Sequence, residues 1–322
     1  MRLSRRELLA GASLPALLLS QTRRAGREPM RGIFIIMTTP YTEAKALDYE
    51  DLAKEVDFLD RCGAHGMIWP QLGSEVWDLK QEERMRGMEV LAKAAKGRKP
   101  ALVLGVQGNN KEAAIEYTRA AEALNPDALI AIPPREGRTL DDVREYYLAI
   151  AQLTKRPVIV QTTGGARGVD INAKFIGELA KEFPHCGYVK EEASPVIPRF
   201  KELLALRPVI QRIYGGSDAA SLMYEMSLGS DGNMPNAAFA DIYAQIWDSF
   251  QAGDRKKAYD LYSKTLLLTN LRRQIPATPL YIMKKRGVFK TIVSRQQESK
   301  VTPEDIREIE ANFELMQPYL RA

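Results

Sequence analysis

The sequence predicts a (β/α)8 barrel followed by a C-terminal helical region, and three observations carry that reading. Between Arg31 and Ala252, short apolar runs of strand length alternate with amphipathic stretches of helical period, eight of each. Nearly every run is followed by polar or glycine-bearing residues, as expected where strands of such a barrel end and site-forming loops begin. After Ala252 the alternation stops and only helical patterns continue. The same alternation would also suit a doubly wound open sheet, which is the alternative arrangement.

Taken in order, the strand-like runs are Gly32–Thr38, Gly66–Pro70, Ala101–Gly105, Ala128–Ile132, Pro157–Gln161, Gly187–Lys190, Arg212–Gly215 and Gly232–Met234. The stretches of helical period are Tyr49–Arg61, Gln81–Lys96, Lys111–Leu124, Leu140–Leu153, Ala173–Glu182, Ile197–Leu206, Ala219–Ser227 and Phe239–Ala252. Beyond them, Arg255–Asn270, Pro279–Arg286 and Pro303–Leu320 read as helices. Pro276 and Pro279 punctuate this region, and Thr302-Pro303 has the form of an N-cap with proline at the first helical position. The expected organisation is therefore residues 1–30 as an export segment, 31–252 as the barrel and 253–322 as a helical region packed on the barrel or between subunits.

The chain has 322 residues, 45% hydrophobic and 27% charged, as in a folded soluble protein. Its net charge of +5 is misleading. Residues 1–30 hold Arg2, Arg5, Arg6, Arg23, Arg24 and Arg27 against Glu7 and Glu28, so the body is nearly neutral and offers no nucleic-acid surface. Arg5-Arg6 followed by an apolar run through Leu19 resembles a twin-arginine export signal, too short for a convincing transmembrane helix. The expectation is an exported, periplasmic protein with no stable membrane span, and a cytoplasmic one if the signal is not functional. A charged N-terminus ahead of an apolar helix is the plainer account of the same residues. Cys62 and Cys186 lack metal-ligand spacing and read as buried free thiols. His65 and His185 precede strands, so neither a histidine mechanism nor a metal site is expected.

Lys190 ends the sixth strand-like run, where an ammonium in an apolar interior is costly and burial of a lysine favours the free amine that Schiff-base chemistry needs. The plainer reading is a strand-end lysine paired with Glu191 or Glu192. In a barrel the strand ends supply the site. They are Thr38-Thr39, Gln71 to Glu75, Gln107 to Asn110, Pro133 to Arg138, Gln161 to Arg167, Lys190, Gly215 to Asp218 and Met234 to Asn236. Leu72-Gly73-Ser74-Glu75 could form a backbone anion nest, or a turn leading to Asp78 as cap of the next helix. Gly215-Gly216-Ser217-Asp218 could approach an anion, or supply Ser217 or Asp218 as an N-cap. Arg135 and Arg167 could each grip a carboxylate, although loop arginines are commonly solvated. Trp69 and Trp77 bracket the second loop as a wall or as core.

With Lys190 on the sixth strand, the chain resembles the dihydrodipicolinate synthase and N-acetylneuraminate lyase family of class I aldolases over most of residues 31–290. The matching pieces are Thr39-Pro40, Gly73-Ser74-Glu75 with Leu79, Gly168-x-Asp170, Tyr188-Val189-Lys190-Glu191 and Gly215-Gly216-Ser217-Asp218-Ala219-Ala220. The resemblance implies a barrel with a C-terminal helical segment, a homo-oligomer (tetramer or dimer), no cofactor, and a lysine that forms an imine with pyruvate or another 2-oxo acid. It departs in specific places. The family's relay tyrosine after strand four is replaced by Pro134 or Arg135. Its paired hydroxyls fall on Leu72 and Gly73, leaving Ser74. Its strand-five tyrosine-asparagine pair becomes Gln161-Thr162, and its following arginine matches Arg167 only after a one-residue shift.

The expected activity is cleavage or formation of a C–C bond of a small 2-oxo acid through Lys190. Ser74 would hold the substrate carboxylate, Thr39, Gln161 and Arg135 the remainder, with Gly215 and Met234 completing the site. The alternatives are hydratase or dehydratase chemistry on a keto-sugar acid through the same imine, and a catalytically silent barrel that binds a small carboxylate.

Overall fold

The computed structural model describes residues 30–296 and 300–322, so the export segment read from residues 1–30 lies, but for Met30, outside the described residues. Eight strands form the barrel: β1 (Gly32–Ile36), β2 (Gly66–Trp69), β3 (Ala101–Gly105), β4 (Ala128–Ala131), β5 (Val158–Gln161), β6 (Tyr188–Glu191), β7 (Arg212–Gly215) and β8 (Gly232–Asn233). Each pairs in parallel with the next, and β8 returns to β1 through Gly32 opposite Gly232 and Ile33 opposite Asn233. That last pairing closes the sheet and excludes the open arrangement.

The intervening helices are α1 (Tyr49–Cys62), α2 (Gln81–Ala95), α3 (Lys111–Ala123), α4 (Leu140–Leu153), α5 (Ala173–Glu182), α6 (Val196–Leu204), α7 (Leu222–Leu228) and α8 (Ala240–Gln251). Their starts are written in short polar side chains that take up otherwise unpaired amides. Asp48 accepts from the amides of Glu50 and Asp51, Asn110 from Ala113, Thr139 from Asp142, and Asn172 from Phe175. After α8 come α9 (Arg255–Gln274), α10 (Thr278–Lys285) and α11 (Pro303–Glu314), the last opened by Thr302 and Asp305 in a reciprocal capping box.

Two apolar layers follow from the period-2 alternation of the strands. Phe34, Ile36, Ile68, Val103, Ile130, Ile159, Tyr214 and Met234 fill the barrel interior, while Ile33, Ile35, Leu104, Leu129, Val160 and Val189 pack outward under the helices. On β6, Val189 faces out and Tyr188 packs toward the interior, so Lys190, two residues on, points into the mouth of the barrel.

Three boundaries differ from expectation by more than two residues. α7 starts at Leu222 rather than Ala219, because Ser217, Asp218 and Ala219 all have positive φ (51°, 52° and 61°) and cannot begin a right-handed helix. α9 runs on to Gln274, its buried Leu268 and Leu271 continuing the apolar stripe past Asn270. α11 ends at Glu314 rather than Leu320, and Pro318 lies in a separate 3-10 turn, Gln317–Tyr319. Among the described residues, no helix is long and apolar enough to cross a membrane.

Candidate active site

A cavity of about 230 Å³ opens at the C-terminal end of the barrel. Its walls come from β1 and its loop (Ile36, Thr38), the loop after β2 (Leu72, Gly73, Glu75), the end of β6 (Lys190, Glu192), the loops after β7 and β8 (Ser217, Asp218, Met234, Asn236), and the C-terminal helices (Arg272, Pro276, Pro279, Leu280). The space suits a small organic acid rather than a polymer.

Lys190 is 4% exposed, and its Nζ lies 3.3 Å from Glu192 Oε2. Of the two carboxylates considered as partners for this lysine, the structure selects Glu192. Glu191 turns the other way, accepting from Thr162 Oγ1 (2.7 Å), the Ala193 amide (2.7 Å) and Arg199 Nε (3.2 Å). Arg199 in turn grips Asp170 (2.8 Å) and the Ile171 carbonyl (2.6 Å), so the Gly168-x-Asp170 piece and Glu191 belong to one brace between the fifth loop and β6. Burial pushes the Glu191 carboxyl up, outweighing its bond from Thr162 and the charge of Arg199.

Glu192 is held differently. Its Oε1 accepts the Ser217 amide (2.7 Å), and its Oε2 accepts the Thr163 hydroxyl (3.2 Å). Burial pushes this carboxyl up, but the Lys190 charge together with the Ser217 and Thr163 bonds wins and holds it below the usual carboxylate range. A short way behind it, Glu225 accepts from Asn233 Nδ2 (2.8 Å), and burial pushes its carboxyl up to about 7, helped by the charge of Glu192.

The backbone around the cavity departs from common geometry. Glu75 (φ 56°) joins Ser217 and Asp218 in the left-handed region, and such conformations in non-glycine residues cluster at functional sites. Each is held by distant groups. Glu75 accepts the Arg295 amide (2.9 Å) and the Ser294 hydroxyl from the segment after α10. Asp218 accepts from Asn236 Nδ2 (3.1 Å) and pairs with Arg272 of α9.

The residues singled out from sequence fall into three groups, those that line the cavity, those that lie beside it and those exposed outside it. Lys190 and Met234 line the cavity. Thr39, Ser74, Gln161 and Gly215 lie at the same end of the barrel without lining it. Thr39 Oγ1 donates to the Ser74 carbonyl and accepts from Trp69 Nε1 (3.0 Å), while the Ser74 hydroxyl donates to the Met37 carbonyl. The amides of Ser74 and Glu75 bond to Gln71 and Leu72 within the same turn, so these residues brace the second loop. Gln161 is opposite Lys190 in the sheet register, with Nε2 3.3 Å from the Thr163 carbonyl and Oε1 buried with no hydrogen-bond partner among the described residues. Arg135 is exposed and stacks over Trp77 at 5.2 Å, and Arg167 is exposed. Trp69 belongs to the core.

The capping alternatives are corrected. Asp78 does not cap α2; the Lys80 amide there bonds Glu83 Oε2 (2.9 Å), and the Asp78 carboxylate takes Gln296 Nε2. Neither Ser217 nor Asp218 caps α7, since Asp218 is committed to Arg272 and Asn236. Cys62 and Cys186 are buried free thiols. Sequence reasoning missed Arg272. The basic last turn of α9 was its only signal, and nothing local brings that turn to the barrel mouth.

No tyrosine is among the described residues that line the cavity. Tyr146 and Tyr147 of α4 lie beneath the fourth loop, their hydroxyls donating to the carbonyls of Ile132 (3.1 Å) and Ala131 (2.8 Å). No group of three or more His, Cys, Asp or Glu residues able to hold a metal occurs among the described residues.

Comparison with known proteins identifies the family and the fold. The family model for the dihydrodipicolinate synthetase family matches residues 29–311. An L-2-keto-3-deoxyarabonate dehydratase of Azospirillum brasilense is 25% identical over 89% of this chain and 95% of its own length. A 4-hydroxy-tetrahydrodipicolinate synthase of Chlorobium chlorochromatii is 27% identical over 81% of this chain and 88% of its own. Among solved structures, dihydrodipicolinate synthase from Rhodopseudomonas palustris superposes with a TM-score of 0.80 at 21% identity, covering 89% of this chain and 99% of that one. The enzyme of Cyanidioschyzon merolae with lysine bound superposes with a TM-score of 0.81 at 19% identity, covering 91% of this chain and 100% of that one. At such identities the superpositions establish the barrel.

Proposed function

Since the chain belongs to the dihydrodipicolinate synthetase family, we propose that it is a lyase acting on a small 2-oxo acid through an imine on Lys190. The observation that carries this is a lysine buried at the end of β6, lining the cavity with its Nζ 3.3 Å from the Glu192 carboxylate. The amine attacks the 2-oxo carbon, water leaves, and the resulting iminium withdraws electrons from the neighbouring carbon. In the reading we place first, the bond one carbon further on breaks as its hydroxyl loses a proton, releasing an aldehyde. Thr38, Ser217 and Arg272 are the wall residues with donors suited to the substrate carboxylate and its distal polar groups. Thr39 and Ser74 act through the loop they brace, and Arg135 lies outside the cavity.

A second reading keeps the imine and changes the bond broken. Loss of a proton from C3 would give an enamine whose electrons expel the C4 hydroxyl as water. It is favoured by the relative named as a keto-deoxyarabonate dehydratase, matched over 95% of its length. The two separate by product analysis with 2-keto-3-deoxy sugar acids. C–C cleavage releases pyruvate, whereas dehydration yields a 2-oxo acid retaining every carbon. Neither product forming, with pure folded protein and a panel of such acids, would favour the silent barrel. The paired arginines of the N-terminal segment support an exported, periplasmic protein, and the family resemblance supports a homo-oligomer.

A further inference from the structure

We propose that Glu192 is the acid and base that works on the Lys190 nitrogen and on the water it expels, in the role the family resemblance gives to a tyrosine that this cavity lacks. This rests on the imine reading above. Three observations on geometry carry it. Glu192 Oε2 lies 3.3 Å from Lys190 Nζ, and both side chains line one cavity. Its orientation is fixed from two loops, by the Ser217 amide on one oxygen and the Thr163 hydroxyl on the other. Finally, of the three acids that line the cavity among the described residues, Glu75, Glu192 and Asp218, it is the one paired with the lysine. Glu191 is bound to Arg199 and Thr162, Asp218 to Arg272 and Asn236, and Glu75 to Ser294 and Arg295.

The backbone makes room for this carboxylate. A Cβ built on Gly216 would stand 2.1 Å from Glu192 Oε1, so the second glycine of the Gly215-Gly216 pair admits the side chain beside the lysine.

The proton accounting closes without any further reactant. The Lys190 ammonium gives a proton to Glu192, leaving amine and carboxylic acid. The amine adds to the 2-oxo carbon as Glu192 gives that proton to the former carbonyl oxygen, and Glu192 then takes one of the two protons on the added nitrogen, leaving a neutral carbinolamine beside a carboxylic acid. Glu192 returns its proton to the carbinolamine hydroxyl, water departs, and the iminium forms beside the regenerated carboxylate. Ammonium and ketone become iminium and water.

The test is the rate at which pyruvate is trapped on Lys190 by cyanoborohydride, read by peptide mass spectrometry, in the full chain and in Glu192→Gln and Glu192→Asp. Loss of a positioned acid and base costs on the order of 100-fold. Glu192→Gln should therefore trap about 100-fold more slowly at saturating pyruvate, with its half-saturating concentration near that of the unaltered protein, and Glu192→Asp should recover part of the rate. If Glu192 only pairs with the lysine charge, removing it frees the amine, and Glu192→Gln traps as fast or faster; that result overturns the proposal. Should Glu192→Gln fail to fold, Glu192→Asp at the unaltered rate does the same. If the unaltered protein traps no 2-oxo acid on Lys190, the imine reading itself fails, an outcome distinct from a variant that matches a labelling parent.

Discussion

Gly216→Ala offers a quantitative check on how the Lys190–Glu192 pair is seated. The added Cβ would lie 2.1 Å from Glu192 Oε1, 2.5 Å from its Cδ and 2.6 Å from its Cγ, where ordinary contact begins at 3.4 Å. A glutamate tip is flexible, but this one is pinned by the Ser217 amide, the Thr163 hydroxyl and the Lys190 ammonium. Retreat by about 1.3 Å stretches the 2.7 Å bond from Ser217 beyond hydrogen-bond length and draws the carboxylate off the lysine. Each lost bond to a charged group is worth about 1.5–3 kcal/mol, so the substitution should cost about 3 kcal/mol. At roughly 2–4 °C per kcal/mol, the melting midpoint should fall by about 6–12 °C. The decisive comparison is a double-mutant cycle by urea unfolding. With Glu192 already replaced by alanine the clash is gone, and Gly216→Ala should then cost less than about 1 kcal/mol. An equal cost in both backgrounds would show that the carboxylate is not what Gly216 accommodates.

Two further predictions concern buried charge. Arg286 and Asp241 form a bidentate pair, 2% and 0% exposed, with Nη2 to Oδ2 at 2.6 Å, joining α10 to α8. Arg286→Ala should destabilise by about 3–5 kcal/mol, because it leaves an uncompensated buried carboxylate; a urea midpoint unchanged from the parent would contradict this. For Glu225, burial and then the Glu192 charge raise the folded carboxyl from 4.5 to about 7. Folding therefore binds its proton more tightly. Its stabilisation is complete below the unfolded value and is lost as pH rises through about 7, a change of roughly 3 kcal/mol. Glu225→Gln should lack that loss, so the stability difference between variant and parent should shift in the variant's favour between pH 5 and pH 8. Parallel stability profiles would refute the shift.

The alternation of apolar runs and amphipathic helices made the barrel legible, because parallel strands covered on both faces are nearly continuous apolar runs. Lys190 was legible for a related reason. A charged side chain two residues after the inward Tyr188 has nowhere to go but the barrel mouth. What the sequence could not supply was the direction of short polar side chains. Thr39 and Ser74 have the right chemistry for a carboxylate, yet their hydroxyls are spent on the Ser74 and Met37 carbonyls. Ser217-Asp218 has the composition of a helix cap, and a run of left-handed residues turns Asp218 instead toward Arg272, 54 residues away. Arg272 and the segment holding Glu75 arrive by packing of the C-terminal region, which no local pattern encodes.

The account rests on the Lys190 imine, and one experiment meets it directly. The protein is reduced with borohydride in the presence of pyruvate and of a 2-keto-3-deoxy sugar acid, and its peptides are weighed beside those of Lys190→Ala. The account predicts a permanent mass gain on the peptide carrying Lys190, and none in Lys190→Ala shown to be folded. Unlabelled parent protein, or label on another lysine, would contradict it.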